Sequence, residues 1–315
     1  MSVSKLAGLV GDVADFRANI WRRTPAILRP EVAFEPPLTV ADIDDVLAFG
    51  ALQAGYVGVQ RADKVITPEA YCSSRTFNGT VHHDFADGGK IRDLVRDGGT
   101  LVLRGLEQWH AATASLTSAL TSELGLRADA ALIITPPGRQ GLRVHRDDAD
   151  VFVVQLNGSK NWRVHAGPTD EDWIPGLTED DGLPLLSEVL RTGEVLYVPR
   201  GFAHYATGER GLSVHLSLAV REVGGVHLYE ALQQALLEGY RIESRPVDDD
   251  ALLARAAGML AHLKDRLSAL SPHDVVALAR TAMLADVTSH TSPGLNELAA
   301  ALDEPAADRV QAEVA

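Results

Sequence analysis

The sequence predicts an α+β protein in which a β-rich domain is preceded by helices and followed by a separate helical module. Three observations carry that expectation. Strand signals crowd the segments 131–135, 151–156, 161–165, 194–198 and 212–220, which are rich in β-branched residues and divided by turns. Upstream, Leu6, Leu9, Val10, Val13, Phe16 and Ile20 recur at helical spacing. From His227 the period is helical again, with one stripe at Leu228, Leu232, Ala235 and Leu236, a second over 252–270 and a third over 275–284. Strands followed by a run of helices describe a β domain with a helical appendage.

Local signals place the remaining elements. Residues 1–60 read as helices and turns, with Thr39 the N-cap of a helix through Ile43, Val46 and Leu47. Gly98-Gly99 precedes a strand at 100–103, and a helix runs from about 111 to 124. An acidic, Gly- and Pro-containing stretch at 170–182 reads as a surface loop, and Arg245-Pro246 and Ser271-Pro272 punctuate the helical tail. The expected domains are 1–225, a β-rich domain with a helical N-terminal part, then a helical module at 226–270 and a short helical segment at 271–315.

Composition narrows the function classes. The chain has 315 residues, 46% hydrophobic and 23% charged, which suits a folded globular protein. It carries 29 basic against 43 acidic residues, a net charge of −14, which argues against direct nucleic-acid binding. Its one cysteine, Cys72, can form no internal disulfide and no thiolate metal cage. Asp12, Asp15 and Arg17 interrupt the N-terminal apolar positions, and no run reaches about 18 apolar residues. The expectation is a cytoplasmic protein with no membrane partner.

Two segments carry chemistry. In His145-Arg146-Asp147, residues two apart on a strand project from one face, so an imidazole and a carboxylate can take adjacent positions on one metal ion. A strand-end ion pair is the alternative reading of that pattern. The second segment runs from Gly193 to His204 with the spacing G-x5-P-x-G-x2-H, in which Pro199 stops ladder pairing and Gly201 permits a tight turn before His204. This spacing resembles the second signature of cupin barrels. Two His and one Asp form the facial triad of non-haem Fe(II) oxygenases, which leaves coordination positions open. Asn157-Gly158 between two strands predicts a two-residue type I′ hairpin. With that turn, even positions after it share a face with odd positions before it, so Lys160 and Trp162 fall on the metal side. A lysine facing a barrel interior needs an anionic partner. A lysine on an exposed hairpin edge is the other reading. His82-His83-Asp84 also has a His-x-Asp spacing, without a partner at cupin spacing, and Trp162 reads as core packing.

The run from Thr135 to Asp148, with Thr135-Pro136-Pro137-Gly138, Gln140-Gly141 and His145-Arg146-Asp147-Asp148, and the run from Val151 to Val164 resemble the JmjC-type ribosomal oxygenases. So do Ile20-Trp21-Arg22-Arg23-Thr24-Pro25-Ala26-Ile27-Leu28 and Gly99–Leu103. The resemblance implies a double-stranded β-helix (cupin/JmjC jelly-roll) core and a protein hydroxylase dependent on Fe(II), 2-oxoglutarate and O2. It implies His145, Asp147 and His204 as the catalytic metal ligands and Lys160 as partner of the distal co-substrate carboxylate. Thr135 and His215 are expected beside the co-substrate, His215 alternatively being a core histidine bonded to a carbonyl. Where the family often carries Asn and Tyr before its Thr-Pro-Pro, this sequence has Ala131 and Ile133. The implied target is an aliphatic C–H on a side chain of a protein or peptide substrate, such as a ribosomal protein. A tailoring hydroxylase of a small natural product or biosynthetic peptide, and a non-enzymatic metal- or ligand-binding cupin, are the alternatives. The resemblance implies a dimerisation role for 226–270 and a reduced winged-helix module in 271–315, and the apolar stripes of the tail predict a homodimer.

Overall fold

A computed structural model describes residues 4–30, 34–170, 172–179, 182–241, 245 and 247–288. The N-terminal helix is not continuous. It divides into α1 (Lys5–Val10), α2 (Val13–Asp15) and a π-helical turn at Phe16–Ile20. Gly11 sits at φ +74°, and the Asp12 carboxylate accepts from the Ala14 and Asp15 amides, so a new cap interrupts the predicted run. The predicted cap at Thr39 is present. Its hydroxyl accepts from the Asp42 amide while the Asp42 carboxylate accepts from the Thr39 amide, opening α3 (Val40–Phe49) after the short β1 (Ala26–Leu28).

Between residues 57 and 135 come β2 (Val57–Gln60), the hairpin of β3 (Cys72–Phe77) with β4 (Thr80–Ala86), α4 (Gly88–Arg96), β5 (Thr100–Arg104), α5 (Leu106–Trp109), α6 (Ala111–Leu124) and β6 (Arg127–Thr135). Helix α6 spans the predicted residues. Strands β1 and β2 lie in a region that reads as helices and turns, being short and decided by pairing with distant partners rather than by local pattern. The strand-rich zone continues with β7 (His145–Arg146), β8 (Asp150–Asn157), β9 (Ser159–Val164), β10 (Gly176–Leu177), β11 (Leu186–Arg191), β12 (Val195–Val198), β13 (His204–Gly208) and β14 (Ser213–Arg221).

These strands make two antiparallel sheets, one ordered β1-β12-β8-β14-β6-β5-β2 and the other β10-β7-β13-β9-β11. The larger sheet is apolar on both faces. One face packs Leu132, Leu216, Phe152 and Tyr197 against Leu6, Leu9, Phe16 and Leu120 of the helices. The other turns Val151, Val153, Leu196 and Val198 toward Trp162, Val164 and Ala206 of the smaller sheet. That double burial explains the near-continuous apolar run of β8. Asp150, at the start of β8, is buried. It accepts hydrogen bonds from Tyr197 Oη (2.6 Å) and Arg22 Nε (3.0 Å), fastening the N-terminal segment to the sheet.

The predicted hairpin at Asn157-Gly158 does not form. Strands β8 and β9 belong to different sheets, and the dipeptide is the corner at which the backbone passes from one to the other. Asn157 does not take the positive φ that a type I′ turn requires, while Gly158 sits at φ +65°. A Cβ there would stand 2.6 Å from the Arg210 carbonyl oxygen and 2.7 Å from that of Leu212. The loop read at 170–182 contains β10, which pairs with β7.

The protein divides into two compact units, with the break between Glu222 and Val223. The second consists of α7 (Gly225–Leu237), α8 (Asp249–Ala269) and α9 (Pro272–Thr288). Asp248 caps α8 by accepting from the Ala251 amide at 2.8 Å. The expectation for 289–315, a reduced winged-helix module included, lies outside the described residues. Among the described residues no helix is long and apolar enough to cross a membrane.

Gly158→Ala combines a left-handed backbone with two carbonyl clashes, and we expect it to cost about 2 kcal/mol or more of folding free energy. Urea unfolding of the full-length protein checks this; an unchanged midpoint would show that the corner tolerates a side chain.

Candidate metal and anion site

His145 and His204 are direct cross-strand partners on β7 and β13, although 59 positions separate them in the sequence. The segment before His204 is tied to the His-x-Asp segment. The Gly201 amide donates to the Asp147 carbonyl (3.0 Å), and the buried Arg146 donates to the Gly201 carbonyl (2.6 Å) and to that of Ala166 (3.1 Å). Gly201 holds φ +80°, so the turn after Pro199 is built as its sequence suggests.

Both imidazoles present the same edge. His145 Nδ1 lies 2.7 Å from the Arg143 carbonyl, and His204 Nδ1 lies 2.9 Å from that of Phe202. A carbonyl only accepts, so Nδ1 carries a proton on each ring, and Nε2 is the nitrogen that can offer a lone pair to a metal. Nε2 of His145 lies 3.8 Å from Asp147 Oδ1, and Nε2 of His204 lies 3.5 Å from Asp147 Oδ2. One ligand atom from each residue falls within 4.8 Å of the other two. Burial, reinforced by the neighbouring His145, lowers the His204 pKa to about 4, so this ring is neutral near pH 7. Two nitrogens and one carboxylate, each imidazole oriented by a carbonyl behind it, fit a first-row divalent metal with open positions.

The same side chains line a cavity of about 370 Å³ between the two sheets, together with Lys160, Trp162 and His215. Lys160 is 2% exposed, so the interior placement holds although the turn that predicted it does not. Side-chain parity survives the sheet crossing: Val151 and Val153 of β8 face the cavity with Lys160 and Trp162 of β9. Lys160 Nζ donates to Thr135 Oγ1 at 3.0 Å and stands 5.6 Å from the Trp162 ring. No carboxylate lies within salt-bridge distance of it among the described residues. Burial lowers its pKa from 10.5 to about 7. Gly141 makes room for this amine, since a Cβ there would lie 2.9 Å from Nζ.

His215 lines the cavity without the carbonyl bond that one reading gives it: its Nδ1 has no hydrogen-bond partner. Its ring meets Trp162 edge to face, with centroids 5.4 Å apart. Burial, then the charges of Lys160 and His204, holds its pKa well below the ordinary range. Ala131 and Ile133 also line the cavity and contribute no polar side-chain atoms to it. His82 and Asp84 do not join the site; the His82 ring stacks on Phe77 with centroids 3.8 Å apart. Arg104, Asp129 and Arg221 line the cavity too, a contribution that sequence reasoning missed. Alternation was the available signal, because Arg104 shares a strand face with Val102, and Asp129 with Ala131 and Ile133.

An amine with a depressed folded-state pKa binds fewer protons folded than unfolded, so its contribution to stability rises as pH increases through that interval. Without an anion, taking the pH from 7 to 9 should stabilise the protein by on the order of 2 kcal/mol through Lys160. Lys160→Met should lose that increment. Urea titrations of wild type and variant at the two pH values test it, and equal pH responses would contradict the assignment.

Comparison with known proteins agrees with this geometry. Residues 106–227 match the JmjC domain family. The chain is 30% identical over 234 residues to ribosomal oxygenase 1 of Gallus gallus, covering 70% of this chain and 37% of that protein. It is 28% identical over 250 residues to the bifunctional lysine-specific demethylase and histidyl-hydroxylase NO66 of Drosophila erecta, covering 74% and 36%. The chain thus spans just over a third of the length of these relatives. Among solved structures, Escherichia coli YcfD superimposes with a TM-score of 0.56 at 19% identity, covering 84% of this chain and 70% of that one. A YcfD structure with cobalt and 2-oxoglutarate gives 0.53 at 18%, covering 84% and 68%. Residues 106–227 thus belong to the JmjC domain family, and the chain is similar in sequence to the ribosomal oxygenases.

Proposed function

We propose that the protein is an Fe(II)- and 2-oxoglutarate-dependent oxygenase that hydroxylates an aliphatic C–H on a side chain of a protein or peptide. The observation that carries this reading is the meeting, in one cavity, of an open two-imidazole, one-carboxylate ligand set with a buried amine lacking a carboxylate partner. His145, Asp147 and His204 would hold the metal. Lys160 would pair with the distal co-substrate carboxylate, with the Thr135 hydroxyl beside it and His215 between that end and the ligands. When bound, Fe(II), 2-oxoglutarate and O2 together supply the oxidising equivalents that turn C–H into C–OH, with succinate and carbon dioxide as co-products. The protein's part is orientation: Nδ1 bonds fix the imidazole edges, and Val102, Val151, Val153 and Ile133 keep the walls apolar and limit water.

The names of the ribosomal oxygenases and the histidyl-hydroxylase support a protein substrate, and a ribosomal protein is the first to try. A cytoplasmic compartment is part of this reading. We assign the oxygenase role to 1–225 and self-association to 226–270. Leu252, Leu253, Leu260 and Leu267 of α8 are each more than half exposed, and α8 has no buried residue, which supports a homodimer closing over this apolar surface.

Mn(II) binding followed by electron paramagnetic resonance should weaken by roughly 10–100-fold or more in His204→Ala. Lys160→Ala should keep the metal and lose 2-oxoglutarate affinity by at least about tenfold, consistent with loss of a buried charge-assisted bond. An unchanged 2-oxoglutarate affinity would refute the role given to Lys160. Sedimentation equilibrium should return the dimer mass, and Leu253→Glu with Leu260→Glu should return the monomer; a monomeric wild type would dispose of the dimer.

A further inference from the structure

Resting on the oxygenase reading above, we propose that Arg104 is the specificity-determining residue of this cavity and that the substrate presents a carboxylate to it. Every other charged residue lining the cavity has a partner or a task. Asp147, His145 and His204 form the metal trio, and Lys160 with neighbouring His215 belongs to the co-substrate end. Asp129 is already neutralised twice, by Arg127 Nε at 3.0 Å on Oδ1 and by Arg221 Nε at 2.8 Å on Oδ2. Arg221 spends a further donor on the Asp148 carbonyl at 3.0 Å. Arg104 alone remains. No side-chain hydrogen bond or salt bridge engages its guanidinium among the described residues.

The fold makes room for that guanidinium. Gly58 on the edge strand β2 pairs with Val102, and a Cβ at Gly58 would stand 2.7 Å from one Arg104 terminal nitrogen and 3.2 Å from the other. The planar fork therefore rests over a bare stretch of backbone, beside the cavity and with its donors unused. Along the sheet Arg104 is opposite Ala131, which is in turn opposite Ser217, and all three line the cavity. The wall beside the arginine is thus small and uncharged. An aliphatic stem could lie along it.

In the oxygenase reading one carboxylate of 2-oxoglutarate belongs to the metal and the other to Lys160, so the co-substrate has no third carboxylate for Arg104. Gly58, under the Arg104 fork, is moreover two strands away from β6, whose Thr135 touches Lys160. The second cation thus serves a second anion. The protein's net charge of −14 makes an unpaired arginine at this position the more distinctive, because the mean field would favour a cationic partner. A guanidinium offers a carboxylate two parallel N–H bonds, and its amide isostere would leave one donor facing another donor.

The test uses the full-length protein loaded with Zn(II) and saturated with N-oxalylglycine, an inert co-substrate analogue. Affinity selection read by mass spectrometry compares two matched sets. One is a peptide library with central Glu or central Gln; the other is a set of small aliphatic carboxylic acids with their primary amides. The acid members should be retained at least about tenfold over the amides, a contrast that a bidentate charge-assisted pair can supply. Enrichment confined to peptides identifies an acidic side chain as the source of the carboxylate, and enrichment confined to small acids a free metabolite. Arg104→Gln should abolish the contrast, Arg104→Lys should keep part of it, and Gly58→Ala, which displaces the fork, should reduce it. Equal retention, no retention of either set, preference for amides, or a contrast that survives Arg104→Gln would each overturn the proposal. Retention of N-oxalylglycine is read in the same samples. Its failure would strike the oxygenase reading, while the acid-over-amide contrast would still report on Arg104.

Discussion

The larger sheet is buried on both faces, and the rest of the architecture depends on that constraint. Helices cover one side and the smaller sheet covers the other, so the residues of β6, β8 and β14, apart from exposed Asn157 and Arg221 at strand ends, are committed to one of two interiors. A one-residue slip would exchange them. Odd positions of these strands look inward between the sheets, where the lining changes along each strand from hydrocarbon to ligands and charge. The cavity is therefore a local change in the character of the lining residues within an otherwise ordinary sandwich interior. Its polar groups keep their positions because the apolar residues between them fix the register.

Much of the site was legible in the sequence, for a physical reason. The candidate metal ligands sit at strand ends, where alternation and turn residues leave spacing rules, and His145, Asp147 and His204 meet as those rules require. Lys160 is more instructive. Its inward direction was inferred from a hairpin that the protein does not make, and the parity nevertheless survives because a glycine corner conserves alternation as a two-residue turn does. Sheet membership is set by long-range pairing that no dipeptide encodes. The same cause hid β1 and β2, which are three and four residues long and take their partners from far along the sequence. The break at Gly11-Asp12 was legible in principle, since a glycine followed by a capping aspartate is a stop and a start. The regular apolar spacing across it concealed the break.

Electrostatics divides the cavity into separate tasks. At one end Lys160 is held at a cost in solvation, with the Thr135 hydroxyl for its partner. In the middle two imidazoles and a carboxylate face one another at distances too long for hydrogen bonds and suited to a shared ion. On β6 and β14, Arg127 and Arg221 pair with Asp129, while on β5 the Arg104 guanidinium has no hydrogen bond or salt bridge among the described residues. Ala131 and Ile133 put no hydrogen-bonding side chain into the cavity wall.

The acidic segment after residue 170 is more than a solvent-facing excursion. Leu177 lies opposite His145 and Gly176 opposite Arg146, and the Thr178 amide bonds the Val144 carbonyl at 3.1 Å. The histidine strand thus has His204 on one flank and this short ribbon on the other. A surface loop of this kind is ordinarily where length and composition drift freely between relatives. Here the drift is leashed: any insertion or deletion that shifted the ribbon by one residue would pull on the backbone that aims His145.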